Sequence, residues 1–140
     1  MLNQAILMGR LTRDPVLRQA NGVPVATFTL AIDRACKGEK RTDFIDIVAW
    51  DRLAGWCTNW LEKGVMAIVT GRIQSRSWQD RAGNHRVSVE VYAREITFGE
   101  TKAARERAAQ QTHAAPPASA VPPDTGPFYE LPDDERDVPF

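Results

Sequence analysis

The chain changes its hydrophobic period twice, and the order of those periods is the tightest limit on its fold. Residues 25–33, VATFTLAID, alternate: Ala26, Phe28, Leu30 and Ile32 fall on one side, Val25, Thr27, Thr29 and Ala31 on the other. Residues 43–51, DFIDIVAWD, alternate again, with Ile45, Ile47 and Ala49 making a compact apolar side. A period of two marks a half-buried strand. From Asp51 the period turns helical: Leu53, Trp56/Cys57, Trp60 and Leu61 recur at helix spacing, and Gly64 is placed to end the helix in a left-handed conformation. Strands resume in VMAIVTGRIQSRSW, turn at DRAGNH and return through RVSVEVYAREITF.

Upstream, AILMGRL reads as a first strand, and QANGVPV carries Asn-Gly between extended segments, a strong hairpin signal. Three strands, one helix and two further strands within residues 1–100 describe an all-β fold with one helix. The five-stranded oligonucleotide/oligosaccharide-binding (OB) barrel, which sets its helix between strands three and four, is the expected architecture. A hydrophobic content of 43% is enough to build its core.

Past Thr101 the composition shifts to Ala, Gln and Pro without apolar periodicity. The Ala/Arg/Glu part can extend a helix briefly, but the proline pairs at 116–117 and 122–123 cannot continue one, so residues 101–129 read as a semi-rigid, mostly extended linker. It delivers an acidic tail, residues 130–140, ending DDERDVPF. The formal net charge of zero hides an asymmetry. Residues 1–112 hold 17 Lys/Arg against 12 Asp/Glu, whereas residues 113–140 hold one Arg against six Asp/Glu. A basic body carrying an acidic tail is the physical object, and 14 of its 18 cations are Arg, the side chain suited to forked phosphate contacts and to stacking.

No stretch approaches the ~20 apolar residues of a membrane span. The N-terminal run also lacks the basic flank and small-residue cleavage site of a signal peptide, so a cytoplasmic, nucleoid-associated location is expected. Cys36, at a strand end, and Cys57, in the helix, have neither metal nor disulfide spacing, and no metal or cofactor is expected. No Cys–His or Ser–His pair and no G-x-x-x-x-G-K-[ST] loop is present, which argues against an enzyme.

The strand faces that do not point inward carry the functional signal. On DFIDIVAWD the other side holds Phe44, Asp46, Val48 and Trp50; on the next strand Arg72, Gln74, Arg76 and Trp78 share a side. Rings interleaved with arginines suit a single-stranded nucleic acid, because bases stack on the rings while cations follow the phosphates. Against this, Trp56 and Trp60 lie on the helix stripe, where at least one is expected in the core. Phe44 has burial under a loop as its alternative, and Trp50 a subunit contact. Trp78, next to a hairpin turn, is hard to bury. An interaction adaptor working through its tail, and a barrel binding RNA or oligosaccharide, remain open on these residues.

MLNQAILMGRLTRDP, NGVPVATFTLA, LEKGVMAIVTGRIQSRSW and the closing DDERDVPF are together similar to the phrases of the bacterial single-stranded DNA-binding protein family. That resemblance implies stacking aromatics at Phe44, Trp50 and Trp78, and a DNA path over Arg52, Lys63 and Arg76 with Arg10 and Arg72 as neighbours. It implies a homotetramer of barrels. It also implies a tip that recruits replication, recombination and repair proteins, with Asp133, Asp134, Glu135 and Asp137 steering and Val138, Pro139 and Phe140 anchoring. The chain departs from the family's usual pattern in three places. The loop RACKGEKRT has no ring, so Arg34, Lys37 or Lys40 is expected to supply charge there; the linker is short; and Arg136 interrupts the acidic tip. These departures fit a short-tailed paralogue.

Overall fold

The computed structural model describes residues 1–113. Its elements run β1 (Ala5–Leu11), β2 (Val16–Ala20), β3 (Val23–Asp33), β4 (Thr42–Trp50), α1 (Arg52–Trp60), β5 (Met66–Gln79), β6 (His85–Phe98) and α2 (Lys102–His113). β1 lies antiparallel to β5 from Ala5 opposite Gly71 to Arg10 opposite Met66. It then crosses to β3, with Arg10 opposite Ala31 and Leu11 opposite Leu30. With β5–β6, β6–β4 and β4–β3 paired as well, five strands close into a ring. The architecture is the expected barrel, with its helix between β4 and β5.

β2 adds to the expected strand count. The Asn-Gly turn puts both Asn21 (φ 51°) and Gly22 (φ 80°) in the left-handed region, and the arm before it pairs with β3 from Val16 opposite Thr27 to Ala20 opposite Val23. Two positive φ values give the turn whose twist matches a hairpin. The arm hangs on β3 outside the ring.

Alternation fills the barrel as expected. Ala26, Phe28, Leu30, Ile47, Ala49, Ala67, Val69 and Val91 are buried. Fully burying a side chain such as Phe28 or Leu30 stabilises by about 1.5–3 kcal/mol. α1 adds Ala54 and Cys57 to this core, and burial pushes the Cys57 thiol up to about 12. Trp56 packs against the core with its ring 5.4 Å from that of Phe98, whereas Trp60 is exposed. Cys36 lies beyond β3 in an exposed loop rather than at the strand end.

The two helix ends differ from expectation. α1 stops at Trp60: Leu61 is already extended (ψ 143°), its N–H donates to the Cys57 carbonyl, and its side chain is buried. Gly64 (φ 88°) instead forms the following turn, in which Val65 N–H donates to the Glu62 carbonyl. Burying Leu61 decides this, because its side chain enters the core from an extended backbone. The segment read as mostly extended linker starts as a helix, α2, twelve residues long. Thr101 Oγ1 accepts the Ala104 N–H at its start, and Arg105 pairs with Glu62 at 3.4 Å. The proline pairs and the acidic tail lie outside the described residues. Among the described residues no helix is long and apolar enough to cross a membrane.

One irregularity orients the site. Thr70 pairs with Glu95 but Gly71 with Ala93, so Arg94 is an extra residue in β6. Such a bulge reverses which residues face inward. Below it Ile96 faces the core; above it Val91 does, and Tyr92 turns outward. Gly71 makes the close approach possible, since a Cβ there would run into the Tyr92 carbonyl oxygen.

Candidate nucleic-acid interface

Strand register assembles the outward side chains into rows. Thr27, Val48, Tyr92 and Arg72 stand opposite one another across β3, β4, β6 and β5. Thr29, Asp46, Glu90 and Gln74 form the next row. Beyond it Ala31 stands opposite Phe44, and Arg76 opposite Ser88; farther along the hairpin Trp78 stands opposite Arg86. At the other end Arg18, Val25 and Trp50 align. The result is one continuous face over β4, β6 and β5, edged by β3 and β2.

The rings on this face are held but not hidden. Phe44 is 66% exposed, Trp50 40% and Trp78 45%. Trp50 and Tyr92 lie 6.3 Å apart at a tilt of 40°, and the Arg72 guanidinium sits 5.7 Å from the Tyr92 ring centre. That cation–π contact fixes a charge beside a ring. The Trp78 indole N–H donates to Ser88 Oγ at 3.1 Å, which sets the ring's orientation on the projecting hairpin. Phe44 and Trp50, six residues apart on one strand, are separated by roughly 20 Å. Flat surfaces at that spacing, with guanidinium groups between and beyond them, match a flexible polyanion carrying flat bases.

Residues 2–99 match the single-strand binding protein family. The chain belongs to that family. It is 51% identical over 106 residues to the single-stranded DNA-binding protein of Caldanaerobacter subterraneus subsp. tengcongensis, covering 73% of this chain and 71% of that one. The Streptococcus pneumoniae single-stranded DNA-binding protein is 40% identical over 127 residues, 88% of this chain and 81% of its own. Single-stranded DNA-binding protein A of Bacillus subtilis is 45% identical over 106 residues, 73% of this chain and 62% of its own.

Of the residues expected to form this family member's site, Phe44, Trp50, Arg72, Arg76 and Trp78 share the face. Arg76 reaches Glu90 only at 3.4 Å and is largely exposed, so it remains available. Arg52 opens α1 two residues after Trp50, across a turn in which Asp51 adopts φ 56°. Arg10 stands in Phe44's row through Ala31, yet its guanidinium is turned to Glu100 at 3.1 Å and to the Gly64 carbonyl at 3.0 Å. Arg34 makes a forked pair with Asp43, at 2.8 and 2.7 Å. Hydrogen bonding from Arg34 holds the Asp43 carboxyl below its ordinary range, so this arginine closes the base of its loop. Lys37, Lys40 and Arg41 are exposed in that loop. Lys63 lies in the turn between α1 and β5, where its backbone N–H donates to Asp14; register does not tie it to the face.

Three residues of the face escaped sequence reasoning. Tyr92 was obscured by the bulge: alternation counted back from Ile96 turns its side chain inward. Arg18 and Arg86 lie on a hairpin arm and near a hairpin tip, and the Asn-Gly signal and the DRAGNH turn, used to set register, place both. The tip is ordered by Asp80, whose carboxylate accepts the N–H groups of Ala82 and Asn84 and the Arg86 guanidinium. These bonds, that from the Asn84 N–H foremost, hold the Asp80 carboxyl below its ordinary range against partial desolvation.

Proposed function

We propose that this chain binds single-stranded DNA with little sequence preference, by stacking bases on Phe44, Trp50, Trp78 and Tyr92 while Arg72, Arg76 and Arg52 neutralise phosphates. The observation that carries this reading is the single outward face on which register gathers those rings with Arg72 and Arg76. Duplex DNA offers no free base faces to such rings, whereas each stacked base contributes roughly 1–3 kcal/mol whatever its identity. The names of the relatives support the same ligand. Titration of the four tryptophans' fluorescence with oligo-dT is the direct test. Quenching that saturates is expected, with oligo-U and oligosaccharides competing less well; absence of quenching removes the reading.

The assembly and the tail complete the proposal. β1 pairs with β5 along Ala5–Arg10 but with β3 only at Arg10 and Leu11, so among the described residues its first residues have a free strand edge. Ile6 and Met8 are exposed beside it. A free edge with aliphatic side chains is a template for another strand, and we assign it to further copies of this chain in a homotetramer. The acidic tip, Asp133 to Phe140, serves to recruit replication, recombination and repair proteins, its carboxylates steering and Phe140 anchoring. Support comes from the charge asymmetry between body and tail. Removing residues 130–140 is expected to abolish such recruitment and to tighten DNA binding modestly at low salt; weakened DNA binding places the tip in the DNA site instead.

A further inference from the structure

Between Trp50 and Arg52, two residues of the proposed DNA site, the chain carries an acid. Asp51 is exposed, and its backbone is unusual, with φ 56° and ψ −122°. Those values belong to the first central residue of a type II′ turn, where glycine is the usual occupant because a Cβ is strained there. The turn is held from both sides. Asp51 N–H donates to the Pro24 carbonyl at 2.8 Å, and the Asp51 carbonyl accepts the Gly55 N–H at 3.3 Å. Glycine would keep both bonds without the strain.

An aspartate in front of a helix ordinarily caps it, its carboxylate accepting an N–H of the first turn from an extended backbone. Here the backbone is left-handed and no such bond forms; among the described residues the carboxylate has no hydrogen-bond or ion-pair partner. The fold therefore bears strain at Asp51 and draws no cap from it. What Asp51 has and glycine lacks is a charge, and its surroundings are cationic. Arg52 follows it, and Arg18 stands in register with Trp50 through Val25. The acids at the other end of the face are engaged: Asp80 by Ala82, Asn84 and Arg86, and Glu90 by Arg76. Strain kept at a binding site points to a role for the side chain there. A phosphate drawn to Arg52 meets a free carboxylate one residue away, whose repulsion opposes that attraction.

We propose that Asp51 is an affinity-limiting residue: its carboxylate offsets Arg52 toward phosphate, so that single-stranded DNA is held more weakly at the Trp50 end of the face than at the Trp78 end. The inference rests on the single-stranded DNA reading above. Titration of tryptophan fluorescence with oligo-dT, at about 50 mM salt and upward, compares the unaltered chain with Asp51→Asn, Asp51→Gly and Glu106→Gln, the last an exposed acid on α2. Asp51→Asn removes the charge and keeps a side chain on the strained backbone; Asp51→Gly removes both charge and strain. Both are expected to tighten binding on the order of two- to five-fold. Both should also steepen the fall of log K with log salt by roughly 0.7, the mark of one further phosphate neutralised. Glu106→Gln should change neither quantity, and Asp51→Gly alone should melt several degrees higher in the free protein. Unchanged affinity in both Asp51 variants overturns the inference. Tightening in Asp51→Gly alone also overturns it, because the backbone of the turn, not the charge, then limits binding. Equal tightening in Glu106→Gln reduces the effect to net charge and likewise overturns it. If Asp51→Gly melts no higher than the unaltered chain, the strain on which the inference stands is absent. If oligo-dT quenches none of the chains, the DNA-binding reading itself fails.

Discussion

Phe44 and Ile6 are equally exposed, each at 66%, yet they belong to surfaces of different chemistry. Phe44 shares its face with flat rings and guanidiniums, and its strand is paired with β3 along its length and with β6 from Asp46 to Val48. Around Ile6 stand the exposed Met8, two residues along, and the half-buried Ile68 opposite Met8, and among the described residues the strand edge is open. An aliphatic side chain gains only from exclusion of water, which a second protein surface provides. A ring beside a cation also gains from a base and its phosphate. Exposure alone therefore does not identify a ligand; the chemistry of the neighbours does.

The comparison breaks most visibly at β1. Ile6→Asp combined with Met8→Asp is expected to reduce the mass measured by light scattering from an assembly to a single chain. An unchanged mass means that this edge is not the contact between copies. On the other surface, Trp50→Ala and Trp78→Ala are each expected to weaken oligo-dT binding by roughly 1–3 kcal/mol per base unstacked, with the mass unaltered. Full affinity in both variants leaves the rings without a role.

Salt sharpens the same contrast. Raising it from about 50 to about 200 mM reduces the entropy gained from each counterion released on binding and is expected to lower DNA affinity strongly. The assembled mass should hold, because apolar contacts are not screened. A parallel loss of mass assigns the β1 contact to charge rather than to burial. Tyr92→Leu keeps apolar bulk but removes the ring beside Arg72, and a loss of DNA affinity of about 1 kcal/mol, the low end for one stacked base, is expected at this half-buried position. No loss makes Tyr92 a spacer.

The smallest effect is at the hairpin tip. Because the Asp80 carboxyl is held below its ordinary range, its contribution is present at neutral pH and disappears as pH falls through that lowered value. Protection of the Ala82 and Asn84 amides, measured against the intrinsic exchange rate at each pH, should fall in that acid range, and at neutral pH in Asp80→Ala. Equal exchange in both chains at neutral pH removes Asp80 as the organiser of the arm that carries Trp78.

Much of the barrel was legible because half-buried strands alternate. Phe28, Leu30, Ile47 and Ala49 lie inside as their spacing requires, and Phe44, Trp50 and Trp78 lie outside for the same reason. Local chemistry also marked the Asn-Gly hairpin. It misjudged the helix ends: Gly64 is an adequate stop signal, but the core's demand for Leu61 ended α1 earlier. In α2, Ala, Arg and Glu favoured a helix more than their lack of apolar periodicity implied, and Thr101 and Glu62 give it a cap and an anchor.

By itself the sequence determined the strand–helix–strand order, the inward residues of the barrel and the division of charge between body and tail. These follow from period and composition, which are local. Only the tertiary structure decided that Tyr92 joins Trp50, that Arg10 and Arg34 are tied to Glu100 and Asp43, and that Asp46 stands exposed among the rings. Each of these depends on register between strands distant in sequence. One inserted residue, Arg94, is enough to reverse which side chains of β6 face outward.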